Sequence, residues 1–284
     1  MDLANLSAGE LEAQLNPRVA VADAERHLAA YAARSRAARE RLAGRYDIAY
    51  GPSPLQTLDV FTAPGPHPPI HVFLHGGYWR SLDKSDFSFV AEPLVGAGAT
   101  TVLLNYDLCP AVTLDAIVCQ INDGIAWVHR HAAELGGDGE RLFVSGHSAG
   151  AHLALMALAH DWAAEGLPAD TVKGVVGVSG VYDLAPLLRI SVNADVRLDA
   201  EMARRNSPTL APPRTDARLL LAVGGDEPPL WIKQTTDMRD RLVEAGVACE
   251  LVTVADRNHF TILYDQADAE SELCRALRAQ MSLG

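Results

Sequence analysis

The chain has 284 residues, enough for one large core or two small ones, and 49% of them are hydrophobic, an ordinary globular composition. Twenty-four Lys and Arg stand against 36 Asp and Glu, a net charge of −12. With no basic run in the chain, that balance excludes the electrostatic footprint of a nucleic-acid-binding or anionic-membrane-binding protein.

The first residues, MDLANLSAGELEAQLNP, are polar and acidic and lack the basic-then-apolar profile of a secretory signal. No apolar stretch approaches the roughly 20 residues that span a bilayer. The four cysteines (Cys109, Cys119, Cys249, Cys274) are scattered without a C-x-x-C pair, and read as thiols of a reduced compartment. A cytoplasmic protein without membrane, nucleic-acid, metal or cofactor requirement is the expectation. Monomer and homodimer remain equally open.

Residues 20–43 carry Ala24, Leu28, Tyr31, Ala32, Ala38 and Leu42 at helical spacing and are closed by Gly44. The pattern predicts an amphipathic helix with a glycine C-cap, part of an N-terminal helical arm over 1–44. Strands are predicted near 46–50, 57–62, 70–75, 100–105, 141–145, 173–179, 217–223 and 249–254. The later runs (TVLLN, RLFVS, GVVGVS, LLLAV, ELVTV) are continuously apolar, as strands buried on both faces are. Between them lie helical stripes; Leu114, Ile117, Val118, Ile121, Ile125 and Val128 keep one face. The alternation predicts an α/β fold with a mostly parallel central sheet, helices on both faces, and an antiparallel start where the first two strands are too closely joined for a crossover. One domain over 45–284 is expected, with a small helical lid inserted near 183–212.

Three loops at strand ends carry the chemistry. His75-Gly76-Gly77-Tyr78-Trp79 follows the strand PIHVFL, and its paired glycines let backbone N–H groups turn inward. Gly146-His147-Ser148-Ala149-Gly150 joins RLFVS to a helical segment. A serine nucleophile needs such a sharp strand-to-helix turn to stand clear of the backbone, and the helix aims its positive end at a developing oxyanion. Ser148 is therefore the candidate nucleophile, with Gly76, Gly77 and Ala149 as oxyanion donors.

A serine needs an imidazole held in the right tautomer by a carboxylate. His259, in Asp256-Arg257-Asn258-His259-Phe260 after the last strand, opens at the same sheet edge as Ser148. His129 and His131 cannot share a helix face, and His147, His152 and His75 read as local packing or loop-orienting groups. For the acid, Asp226 follows LLLAV and gives the chain order Ser148, Asp226, His259; Glu227 and Asp183 are its competitors. Tyr78, Trp79, Tyr182 and Phe260 lie in loops near this edge and are candidate pocket residues. Trp79 is equally placed for core, and Asn193 in the insertion for a polar substrate contact, a helix cap or a loop hydrogen bond.

These segments, with Asn105-Tyr106-Asp107-Leu108-Cys109-Pro110, Ser191-Val192-Asn193, Asn206-Ser207-Pro208 and Gly224–Pro228, resemble the serine-dependent arylformamidases of the α/β-hydrolase superfamily and their bacterial esterase relatives. The likeness runs from about residue 45 to 280. It implies a triad of Ser148, Asp226 and His259, oxyanion donors at Gly76, Gly77 and Ala149, and acyl transfer on a small amide or ester. N-formylkynurenine is the arylformamidase substrate, and a carboxylesterase on another ester is the alternative. A non-catalytic binding protein on the same fold is disfavoured because no triad position is missing.

Overall fold

Eight strands form one sheet in the order β1-β2-β4-β3-β5-β6-β7-β8 in the computed structural model, which describes residues 5–284. They are β1 (Gly44–Ala49), β2 (Thr57–Phe61), β3 (Pro69–Leu74), β4 (Thr100–Leu104), β5 (Asp138–His147), β6 (Gly174–Val178), β7 (Arg218–Gly224) and β8 (Cys249–Val254). β2 runs antiparallel to both of its neighbours, and β3 to β8 are all parallel. The helices are α1 (Ala8–Leu15), α2 (Pro17–Ala20), α3 (Ala24–Arg41), α4 (Glu92–Gly96), α5 (Leu114–Arg130), α6 (Ala132–Leu135) and α7 (Ala149–Leu158). They continue with α8 (Asn193–Val196), α9 (Ala200–Arg205), α10 (Pro229–Glu244), α11 (Ile262–Gln266) and α12 (Glu272–Gln280). Among the described residues no helix is long and apolar enough to cross a membrane.

The period of two along a strand sorts side chains between the two faces. Val72 and Leu74, Val102 and Leu104, and Leu219 and Leu221 join one cluster with α1, α5, α7 and α10. Phe73 and Leu103 join α3 and Phe87 on the other face, where Val176, Leu220 and Ala222 meet α12. β3, β4 and β6 are buried throughout. β8 departs from the expectation of burial on both faces: it is the edge strand, and Glu250 and Thr253 are exposed.

The arm packs on its own domain. Residues 1–4, its start, lie outside the described residues. Leu11 and Leu15 of α1 enter the first cluster, whereas Ala24, Tyr31 and Ala38 of α3 enter the second, so the arm crosses from one face of the sheet to the other. Each fully buried leucine contributes about 1.5–3 kcal/mol. Polar anchors add direction. Arg39 of α3 pairs with Asp59, which is buried in β2, beside the Lys84 ammonium 3.1 Å from the same carboxylate. The helix expected over 20–43 is α3, which starts at Ala24 and ends at an extended Leu42, and Pro17 starts a separate short α2 before it. Gly44 is therefore the first residue of β1 and not a C-cap.

The Tyr31 hydroxyl donates to the Phe260 carbonyl, both groups being buried, and burial holds its pKa well above 10, so it stays a donor. Tyr31→Phe removes that bond without opening a cavity, while the Phe260 carbonyl keeps the Leu263 N–H at 3.2 Å. A loss of about 0.5–1.5 kcal/mol in urea unfolding is expected. Unchanged stability would show that the arm is held by apolar packing alone.

Candidate active site

The site lies where β3, β5, β7 and β8 end. At the end of β5 the backbone reverses into α7 through Ser148, held at φ 58°, ψ −119°. A non-glycine residue there costs on the order of 1–3 kcal/mol, which the surroundings must overcome. The turn has no room at its flanks. A Cβ on Gly146 would stand 2.2 Å from the Gly150 carbonyl, and one on Gly150 would stand 2.0 Å from the Leu74 oxygen. The Ser148 amide donates to the Val178 carbonyl at 2.9 Å, tying the turn to β6. Ala149 opens α7, so its N–H has no acceptor within the helix.

The loop after β3 closes against this turn. A Cβ on Gly76 would lie 3.0 Å from the His147 oxygen and 3.1 Å from the Ser148 Cβ, so only glycine admits this approach unstrained. Gly77 (φ 111°), Tyr78 (51°) and Trp79 (56°) then form a left-handed run that turns the loop inward. His75 holds it from behind. Its ring stacks on Tyr106 at 4.3 Å, Nδ1 lies 2.8 Å from the Gly76 carbonyl, and Nε2 lies 2.9 Å from Asn105 Oδ1. This is the orienting role expected of it.

His259 is buried between β8 and α11, its ring edge-on to Trp231 at 4.4 Å. Its Nδ1 lies 2.8 Å from Glu227 Oε2. With Nδ1–H donating to that carboxylate, Nε2 carries the lone pair. The other Glu227 oxygen accepts from the Ser179 hydroxyl and, at 2.8 Å, from the Gly224 amide. His147, kept neutral by burial, donates Nε2–H to the His259 carbonyl at 2.8 Å and so locks the histidine loop to the serine turn.

The expected acid, Asp226, is corrected by this geometry. The turn after β7 closes by a Glu227 N–H to Gly224 carbonyl bond, and a Cβ on Gly224 would stand 2.1 Å from the Arg257 oxygen. Within so tight a turn, neighbouring side chains diverge: Glu227 goes inward and is 4% exposed, whereas Asp226 is exposed to solvent. Asp183 instead accepts from the Ala185 amide at 3.0 Å. Ser179, which holds Glu227 from the loop after β6, was not singled out in the sequence; a serine directly after a buried strand was its only signal.

Ser148 and His259 line one cavity together with Gly76, Gly77, Tyr78 and Phe260. Three candidate pocket residues stand elsewhere. Trp79 is wholly buried, edge-on to His152. Tyr182 is also wholly buried, behind Gln234, which accepts its amide N–H. The Asn193 side chain clamps the Leu198 N–H at 2.7 Å and carbonyl at 3.1 Å, the loop hydrogen bond weighed for it. The insertion at 183–212 is helical, as expected, but contributes nothing to this cavity's wall. Its Ser191 hydroxyl and amide donate to Glu12 of α1 instead. The wall comes from the arm, through Asn16, Pro17, Arg18, Leu28 and Tyr31. The arm occupies the place expected for a lid because its two ends are anchored on opposite faces of the sheet.

Comparison with known proteins extends the likeness beyond residues 45–280. Residues 58–245 match the BD-FAE family. The kynurenine formamidase of Danio rerio is 32% identical, covering 97% of each chain, and that of Salmo salar is 31% identical over 98% of this chain and 97% of its own. Among solved structures, a provisionally assigned thioesterase from Silicibacter sp. TM1040 superposes with a TM-score of 0.81 at 30% identity, covering 93% of this chain and 98% of that one. An esterase of Pyrobaculum calidifontis shares the fold, with a TM-score of 0.75 at 19% identity and 92% coverage of both chains.

Proposed function

This chain belongs to the kynurenine formamidase and BD-FAE family of α/β-hydrolases, and we propose that it hydrolyses N-formylkynurenine to formate and kynurenine with Ser148, His259 and Glu227 as its triad. It is a hydrolase of small amides or esters. The observation that carries the residue assignment is the buried carboxylate–imidazole pair, Glu227 to His259 Nδ1 at 2.8 Å, in the loop that shares a cavity with the strained Ser148.

In this reading His259 Nε2 takes the Ser148 proton as the hydroxyl attacks the formyl carbon. The oxyanion settles on the amides of Gly76, Gly77 and Ala149, each donor being worth about 100- to 1,000-fold in kcat. His259 then passes its proton to the departing arylamine, and a water that it deprotonates releases formate and frees Ser148. Glu227 keeps Nδ1 protonated throughout and stabilises the imidazolium. Tyr31, Phe87 and Phe260 in the wall suit an aromatic leaving group. All four cysteines are free, and burial pushes the Cys109 and Cys274 thiols up to about 11, so they are poor nucleophiles beside Ser148.

The test is kcat/KM for N-formylkynurenine beside p-nitrophenyl acetate. A formamide value of about 10⁴ M⁻¹s⁻¹ or more, within the ordinary enzyme range, is expected, with one formate released per amine. Cleavage of the activated ester alone would transfer the assignment to a carboxylesterase with the same acyl-enzyme.

A further inference from the structure

The cavity wall is more cationic than the chain. Against a net charge of −12, it holds two arginines, Arg18 and Arg80, and no acidic residue. They are not equivalent. Arg80 is half-buried and already paired with Asp195, with Glu12 close enough to feel its charge. Arg18 has a looser partner: its guanidinium lies 3.3 Å from Glu25, with the two side chains 46% and 77% exposed. Such solvated pairs are worth about 0–1 kcal/mol and yield readily to a better acceptor. The Arg18 backbone is nonetheless fixed, since it follows Pro17 and donates its N–H to Asn16 Oδ1 at 3.1 Å.

The acyl carbonyl must reach Ser148 with its oxygen against the glycine loop, so the arm's side of the cavity receives whatever is attached to the acyl group. We infer that Arg18 binds a carboxylate carried by the leaving group, and so selects amides and esters of anionic, amino-acid-like aryl amines and alcohols. A guanidinium suits this task because its planar fork pairs with both carboxylate oxygens. The inference rests on Ser148 being the nucleophile of this cavity; it does not require that the scissile bond be a formamide.

Two matched pairs read it: N-formylanthranilate against its carboxamide, and 4-acetoxybenzoate against 4-acetoxybenzamide. The native enzyme is expected to favour the anionic member in kcat/KM, chiefly through KM. Arg18→Gln should reduce that preference by about 10- to 100-fold, the worth of a charge-assisted contact. Arg18→Lys should restore part of it, and Glu25→Gln, which frees the guanidinium, should raise it by up to about fivefold. A preference that Arg18→Gln leaves intact would overturn the inference, as would equal turnover of both members of the pairs by the native enzyme. Arg18-dependent preference on the acetoxy pair with no formamide cleavage would sustain the carboxylate site while removing the arylformamidase reading. Calorimetric binding of anthranilate to the Ser148→Ala protein reads the same contact without turnover. It should weaken at least tenfold when Arg18→Gln is added, and equal binding would again overturn the inference.

Discussion

Ser148→Ala is expected to lower kcat by about 10⁴- to 10⁶-fold on every acyl substrate, the scale set by removing the nucleophile of other serine hydrolases. The same variant should take up no fluorophosphonate label, while the native protein takes up one per chain. Alanine is the informative replacement because it keeps the Cβ and hence the strained φ of 58° at the head of α7. Glycine would relieve that strain and alter the turn along with the chemistry. The groups that force the geometry act on the backbone: the Val178 carbonyl holds the Ser148 amide, and the crowding at Gly146 and Gly150 comes from main-chain atoms. Folding stability should therefore stay within about 1 kcal/mol of native. The loss should also be substrate-independent, since ester and formamide cleavage share the first step. Residual turnover above a thousandth of native, or labelling that survives, would mean that another group in the cavity attacks the acyl carbon.

How far the sequence alone reaches can be judged at individual residues. The strands were legible because most of them are buried on both faces and leave unbroken apolar runs. β8 is the instructive exception: ELVTV reads as buried, yet it is an edge whose Glu250 and Thr253 face solvent. A run of five residues cannot reveal which side lacks a neighbour. Ser148 and the glycine loop were legible because their backbone demands are local. The identity of the carboxylate was not, because Asp226 and Glu227 are adjacent and only the fold of the turn decides which points inward. The cavity wall was the least legible part. Arg18 and Tyr31 lie more than a hundred residues from Ser148, and their placement depends on the arm crossing between the two faces of the sheet. No local pattern encodes that path, whereas the insertion, being helical and near the triad in sequence, invited the role of lid.

Glu227→Gln should cost about 10⁴-fold in kcat, and Asp226→Asn no more than about threefold. The first figure follows from what the carboxylate does. One oxygen of Glu227 accepts Nδ1–H of His259 at 2.8 Å, and the other accepts the Ser179 hydroxyl and the Gly224 amide. All of these partners are donors, and glutamine brings only one acceptor. Its NH2 must therefore face either His259 or the Ser179–Gly224 pair. Facing His259, it favours the tautomer with Nδ1 unprotonated, so that Nε2 carries the proton and cannot accept one from Ser148. That is the mechanism by which the equivalent acid-to-amide change in a serine protease loses about 10⁴ in kcat. Facing the other way, it leaves two buried donors without an acceptor and shifts the side chain off His259. In either orientation the damage falls on kcat, with KM nearly unchanged, because the ground-state complex does not contact Glu227. Asp226 has no such partners: its side chain is in solvent, and surface changes of this kind stay within about 0.5 kcal/mol. Ser179→Ala should fall between the two, since Glu227 keeps the Gly224 amide and His259. A profile in which Asp226→Asn is the crippled variant would require the turn after β7 to rearrange on substrate binding, carrying Asp226 inward past Glu227.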